Sequence, residues 1–301
     1  MMLPERVILK DFLERKPPED TFIIDELLPR GGLSILSGSP KAGKSTLSRN
    51  MIKAIGRGQQ FLGRAVVSVP VLYYALEEIP YHIAAEFRML QCHDEEVYLR
   101  AGPIDKSILA KVLYEDIREL SVGIAIVDPL FDALSVVDSN AYSAVNDAMK
   151  KLLSVARLTD CHILAVHHTN KSDARGGNSI LGSQALAGAT ECNMFLTKDA
   201  KGQRVLSSEQ RSGVPFEDVL LSFNTETHEM SVIGSKSVLR AQTAQSEMLA
   251  VLDTAELSTS DWLSRCKGRT EYKLQAIHEL ESQGLVENRS QGRLQLWKRK
   301  S

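Results

Sequence analysis

The sequence predicts an α/β fold: a mostly parallel central sheet with antiparallel additions, followed by a small helical domain at the carboxyl end. Three observations predict it. Residues 38–45 read Gly-Ser-Pro-Lys-Ala-Gly-Lys-Ser, a complete phosphate loop set between an apolar stretch and a helix-forming run. Beyond it, short apolar runs alternate with stretches that carry apolar residues at helical spacing, the pattern of a layered α/β core. From about Cys192 the alternation gives way to closely spaced strands, and residues 238–301 change character again.

The elements follow in order. After a lead-in over residues 1–30, Leu33-Ser-Ile-Leu-Ser37 reads as the first core strand and Thr46 to Ile55 as a helix. Between them, Gly38 and Gly43 let the backbone bend so that its N–H groups face phosphates, and the helix turns its positive end toward them. The nucleotide-binding set is therefore Gly38, Ser39, Pro40, Lys41, Ala42, Gly43, Lys44, Ser45 and Thr46, with Lys44 reaching the β- and γ-phosphates and Ser45 holding Mg²⁺. Val71 to Leu76 is a β-rich run ending in Glu77 and Glu78, and Val97 to Ala101 is a weaker one. Ile108, Leu109, Val112, Leu113, Ile117 and Leu120 recur at helical spacing. Val122 to Val127, apolar on both faces, belongs in the middle of a parallel sheet. Ala144, Ala148, Leu152, Val155 and Ala156 then form a helical stripe before a strand from Cys161 to His168. Cys192–Leu196, Gln203–Ser208, Val219–Phe223 and Met230–Ile233 read as antiparallel additions to the same sheet.

Composition limits the function classes. With 43% hydrophobic and 25% charged residues, the 301-residue chain is ordinary for a soluble globular protein. A net charge of −2 supplies no global basic field, so contact with nucleic acid has to come from local patches. No long apolar span occurs and Asp11, Glu14 and Glu19 punctuate the start, so the expectation is a cytoplasmic protein with no membrane partner. The four cysteines lie far apart without a C-x-x-C pair, against a zinc ribbon or disulfide framework. His162 and His168, at the two ends of one expected strand, stand roughly 20 Å apart at about 3.3 Å per residue and cannot share an ion.

Two further carboxylate positions carry chemistry. The strand ending at Asp128 delivers a fixed carboxylate at the edge where open parallel sheets bind ligands, so Ser45 and Asp128 form the expected Mg²⁺ pair. A glutamate ending the Val71–Leu76 strand can orient the attacking water, and spacing alone leaves Glu77 and Glu78 both open.

Five segments together carry a family resemblance: Leu36-Ser-Gly-Ser-Pro-Lys-Ala-Gly-Lys-Ser-Thr46, Tyr74-Ala-Leu-Glu-Glu78, Ile126-Val-Asp-Pro-Leu130, and Val166-His-His-Thr-Asn-Lys171 with Leu181-Gly-Ser-Gln184. Over about residues 20–235 the chain resembles the RecA-like P-loop ATPases of the RepA type, replicative helicases of plasmids and mobile elements. The resemblance implies a RecA-like core, ATP and Mg²⁺ as cofactors, and an ATP-hydrolysing DNA motor. It implies Glu77 as the catalytic glutamate and His168 as the sensor of the γ-phosphate, beside Lys44 and Asp128. It also places Lys171 and Arg175 on a loop facing single-stranded DNA in a ring channel, and Arg211 as a finger reaching a neighbour's ATP. A homo-oligomer, a hexamer in the ring-forming relatives, and other replication proteins are the implied partners. Glu209 departs from the pattern, since DnaB-like members carry lysine there.

Residues 238–301 form the second expected domain, after 1–237. Glu247 to Leu252 is short and amphipathic, Ser258 to Leu263 opens with capping residues, and Thr270 to Gln283 presents an apolar stripe. Three helices, then Leu285 to Glu287, a Ser-Gln-Gly turn and Leu294 to Trp297, resemble a winged helix-turn-helix, and its passage from recognition helix to wing reads Glu279-Leu-Glu-Ser-Gln-Gly-Leu-Val286. The cations Arg269, Lys273 and Arg293, among others around this helix and wing, are placed for contacts with duplex DNA, and a protein-docking role for the same module stays open. Two alternatives to a helicase follow: an ATP-dependent DNA-binding switch or loader, and a small-molecule kinase, which the extra DNA-like module disfavours.

Overall fold

The computed structural model describes residues 6–16, 20–93, 95–105, 107–130, 142–168, 190–198, 202–252, 256–267, 270–289 and 295–300. The chain divides into two compact units, one of Met1–Phe216 with Ser222–Val232, the other of Glu217–Leu221 with Ile233–Ser301.

In the large unit, a short helix α1 (Leu9–Leu13) and a two-stranded piece, β1 (Phe22–Ile24) with β2 (Leu28–Pro29), precede the core. The core then runs β3 (Leu33–Gly38), α2 (Lys44–Arg57), β4 (Val71–Ala75), α3 (Pro80–Met89), β5 (Val97–Ala101), α4 (Leu109–Leu120), β6 (Ile124–Asp128), α5 (Tyr142–Thr159) and β7 (His162–His168). Strands β8 (Cys192–Lys198), β9 (Arg204–Gln210), β10 (Val219–Phe223) and β11 (Met230–Ser235) complete a nine-stranded sheet of order β11-β10-β9-β8-β3-β7-β6-β4-β5, with Val219–Leu221 of β10 and Ile233–Ser235 of β11 counted among the residues of the second unit. From β5 to β8 the neighbours are parallel, and β8 with β9 is antiparallel. The α/β architecture read from the sequence is the one observed.

Burial explains which strands were plainest in the sequence. Every residue of β3, β4 and β6 is buried, which requires the continuous apolar runs seen there. β5, at the sheet's edge, is half-buried or exposed throughout and correspondingly weak as a pattern. On one face, Leu109, Leu113 and Ile117 of α4 and Met149, Leu152, Val155 and Ala156 of α5 pack against Leu72, Tyr74, Ala125, Val127, Ile163 and Ala165. Asp116, buried within α4, accepts hydrogen bonds from Tyr74 Oη (2.6 Å) and Arg100 Nη2 (2.6 Å) and so ties that helix to β4 and β5.

Register then sets where the functional ends fall. Gly38 pairs with His168 across β3 and β7, and Ala75 pairs with Asp128 across β4 and β6. The phosphate loop, Asp128, the residues after β4 and His168 thus emerge along one carboxyl edge, the ligand-binding edge of open parallel sheets.

The small unit contains α6 (Lys236–Leu252), β12 (Leu257–Ser258), α7 (Thr259–Arg265), α8 (Thr270–Ser282), β13 (Val286–Asn288) and β14 (Leu296–Arg299). Its three-stranded antiparallel sheet has the order β12-β14-β13. Met248, Leu252, Trp262, Ala276, Ile277, Leu280, Val286 and Trp297 form its core, and the Trp262 indole N–H donates to Met248 O at 2.9 Å. The Ser258 hydroxyl caps α7 by accepting from the Asp261 N–H at 3.1 Å, as the capping residues predict. One element differs from expectation. The short amphipathic element expected over Glu247 to Leu252 is the end of a longer helix, since α6 begins at Lys236. No glycine or proline falls between Lys236 and Leu252, and its alanines, glutamines and leucines are good helix formers, so a polar composition there is compatible with a helix.

Candidate nucleotide site

The phosphate loop is shaped as its sequence requires. Lys41 sits at φ +63° and Gly43 at φ +104°, left-handed positions that turn successive N–H groups to one side of the loop. Gly38 has a separate reason: a Cβ there would lie 2.2 Å from Leu196 O of the adjoining strand β8. The backbone of Lys44 begins α2, so the helix's positive end faces the loop. The Lys44 side chain is only 3% exposed, and its ammonium donates to Gly38 O (2.8 Å) and Ser39 O (3.0 Å). Burial lowers its pKa to about 8, against the opposing pull of Asp128 and Glu77.

Asp128 ends β6 and is buried. Burial raises its pKa, while hydrogen bonds from Ser45 and Tyr73 oppose the rise, the latter from Tyr73 Oη at 3.2 Å. The two expected Mg²⁺ residues therefore touch each other across the phosphate loop and β6. A hydroxyl beside a fixed carboxylate at a helix N-terminus is a donor set that suits Mg²⁺, which binds through one or two such oxygens and otherwise through waters and phosphates. When bound, the ion would supply charge neutralisation to the transferring phosphate.

The structure separates the two glutamates that spacing left open. Glu78 turns back to α2, where the buried Arg49 donates to it at 2.5 Å. Glu77 faces the site: its carboxylate lies 4.0 Å from His168 Nε2, and its charge acts on Lys44. Both side chains are about half exposed, open to a substrate. His167, beside them, points into the protein, and burial lowers its pKa to about 4. His162, at the far end of β7, is fully buried and bonded to Pro29 O through Nδ1 at 2.7 Å. No group of three or more His, Cys, Asp or Glu side chains that could hold a metal occurs among the described residues.

The remaining expected residues fall elsewhere. Arg211 follows β9 at the amino edge of the parallel strands, where its N–H donates to Glu191 O and its guanidinium lies 3.4 Å from the Glu191 carboxylate. It is thus away from its own chain's phosphate loop. Lys171, Arg175, Arg269 and Arg293 lie outside the described residues. Lys273 corrects an expectation. It is 8% exposed, and its ammonium donates to Leu263 O (2.6 Å) and Cys266 O (3.2 Å), closing the end of α7 from inside, so it presents no charge to DNA. In the same unit, Arg289 pairs with Glu287 and Glu256, and Lys298 lies 3.8 Å from Glu256.

Two arginines at the site went unread in the sequence. Arg204, on β9, donates from Nε to Ala42 O of the phosphate loop at 3.1 Å and stacks on Phe223, 4.6 Å from the ring centroid. Arg49 lies on the buried face of α2, four residues after Ser45, a spacing that could have marked it.

A model of the AAA domain family (AAA_25) matches residues 3–174, more than half of the chain. The chain belongs to this family. It is a P-loop ATPase with a RecA-like core. Two curated relatives, both DNA repair protein RadA from Helicobacter pylori, strains J99 and 26695, are 26% identical over 157 residues, or 51% of this chain and 32% of theirs. The match thus spans about a third of the length of these relatives. The solved KaiC-like protein PH0186 from Pyrococcus horikoshii OT3 aligns with a TM-score of 0.53 at 13% identity, covering 70% of this chain and 93% of that one, a likeness of fold.

Proposed function

We propose that the chain hydrolyses ATP with Mg²⁺ and couples the cleavage to movement on single-stranded DNA as a homo-oligomeric motor of the RepA type, a hexamer in its working state. The observation that carries this reading is the juxtaposition of Glu77 with His168 at 4.0 Å, level with Lys44 and the Ser45–Asp128 pair. In it, Lys44 draws the β- and γ-phosphates to the helix end, Glu77 orients and deprotonates the attacking water, and His168 registers the γ-phosphate. Arg211, remote from its own loop, stabilises the transferring phosphate of a neighbour. Two features support the DNA part: the curated relatives are named DNA repair proteins, and the small unit has the helix-strand-helix-helix-strand-strand order of a winged helix. The reading gives Lys171 and Arg175 to the DNA channel, and Arg269 and Arg293 to duplex or to another replication protein. No helix among the described residues is long and apolar enough to cross a membrane, in keeping with a cytoplasmic setting.

Phosphate release with and without single-stranded DNA tests the reading. Stimulation by DNA, and recovery of activity on mixing Arg211→Ala with Glu77→Gln subunits, are expected. A chain that stays monomeric with nucleotide and ignores the oligonucleotide overturns it. A loader that binds DNA without unwinding is the second reading, favoured by the engagement of Arg289 and Lys298 with Glu256, which suits a protein-docking module. Strand displacement on forked DNA separates the two.

A further inference from the structure

Arg49 is as enclosed as Lys44, 3% exposed on α2, the helix that the phosphate loop opens. Burying a guanidinium is costly unless it is paired, so its partners show what it is for. One is Glu78 at 2.5 Å, directly after Glu77; another is Glu86 on α3 at 3.8 Å. The guanidinium also lies 5.9 Å from the centroid of the Tyr73 ring, whose hydroxyl donates to Asp128. Arg49 therefore holds the segment just after Glu77 and lies beside the tyrosine that bonds Asp128, a carboxylate on which its charge also acts.

We propose that Arg49 is a positioning residue for ATP hydrolysis: by holding Glu78 against the phosphate-loop helix, it fixes the turn after β4 so that Glu77 faces the nucleotide. This rests on the reading of Glu77 as the catalytic carboxylate. Glu77 and Glu78 are adjacent in the bend after β4, so holding Glu78 against α2 limits the directions in which Glu77 can point. The clamp also keeps the Glu78 charge, which bears on Asp128, neutralised beside the Ser45–Asp128 pair. Without it, Glu78 would be free to swing toward the site and the turn free to move, and a misplacement of about 1 Å can cost on the order of a hundredfold in rate. Binding is a different matter, because Lys44 and the loop N–H groups do not depend on the clamp.

The test is a cycle on the full chain, measuring kcat and KM for MgATP with Arg49→Met, Glu78→Ala and the two together, with Arg49→Lys and Glu77→Gln beside them. Each single change is expected to lower kcat by about tenfold to a hundredfold with KM nearly unchanged. The pair together should be no slower than the slower single variant, since both remove one clamp. Arg49→Lys, which keeps the charge without the planar fork, should fall between. Multiplying losses, a KM that rises with the fall in kcat, or a wild-type rate for Arg49→Met with Glu77→Gln inactive would overturn the inference alone. An unimpaired Glu77→Gln would overturn the reading of Glu77 and this inference with it. Should Arg49→Met fail to fold, as a melting curve would reveal, Arg49→Lys and Glu78→Ala carry the same comparison.

Discussion

The carboxyl edge of the large sheet and the described basic residues of the small unit, Lys273, Arg289 and Lys298, were both expected to serve a ligand from residue type and position, and their side chains are arranged differently. At the sheet edge, Lys44, Ser45, Asp128, Glu77 and His168 come from four separate segments and converge. In the small unit, Lys273 is folded inward, and Arg289 and Lys298 meet acids of their own unit. The difference lies in what each signal constrains. A phosphate loop demands particular backbone angles, and a buried parallel strand demands an uninterrupted apolar run, so both fix geometry. A lysine at a helical position fixes only a charge on a flexible stem, and the stem is free to bury it or to turn it toward an acid.

The comparison breaks most decisively at Lys44. Lys44→Ala should reduce phosphate release by about a thousandfold or more and weaken nucleotide binding, because it removes both a ground-state and a transition-state charge. Its lowered pKa adds a second handle. The ammonium is the form that meets phosphate, so nucleotide affinity should fall as pH rises past about 8. In that range, binding should also take up protons, visible in calorimetry as an enthalpy that depends on the buffer. Affinity flat from pH 7 to 10 would detach Lys44 from the phosphates. Next comes the glutamate pair: Glu77→Gln should keep nucleotide binding and lose about a hundredfold or more in rate, with Glu78→Gln much milder because its amide oxygen still accepts from Arg49. The reverse order would move the catalytic role to Glu78.

How much of this could be read beforehand follows the same line. The strand alternation, the sheet's parallel core and the loop were legible because each rests on burial or on backbone geometry. The choice between Glu77 and Glu78 was not, since it depends on Arg49 twenty-nine residues earlier, and no local pattern encodes that contact. Arg204 was missed for the same reason, as β9 meets the loop only through the sheet order. The helix over Lys236–Leu252 was masked by its polar composition, which signals exposure and not conformation.

His162 extends the comparison to stability. It is fully buried with its pKa lowered to about 4 by that burial, so the unfolded chain, protonating near 6.5, binds a proton that the folded chain refuses. The stability is fully present above pH 6.5 and is lost as pH falls toward 4, by up to about 3 kcal/mol at 1.4 kcal/mol per pH unit. Melting temperature followed from pH 7 to 4 should therefore decline, and His162→Gln, able to keep a donor on Pro29 O, should flatten that decline. A variant as acid-sensitive as the parent would assign the loss to other groups.

The smallest effects fall in the small unit, where the comparison can be sharpened. Lys273→Met should destabilise that unit by about 1–3 kcal/mol, since two buried carbonyls lose a charged donor, yet it should leave the salt dependence of DNA binding unchanged. Arg289→Ala should cost less than about 1 kcal/mol, as exposed ion pairs do. On DNA, if Arg289 is committed to Glu256 and Glu287, its removal leaves the slope of binding against salt where it was. If it lets go of them to meet a phosphate, the slope falls by about one ion, and the small unit would then use its charges as the large unit uses Lys44, inward when empty and outward to a ligand.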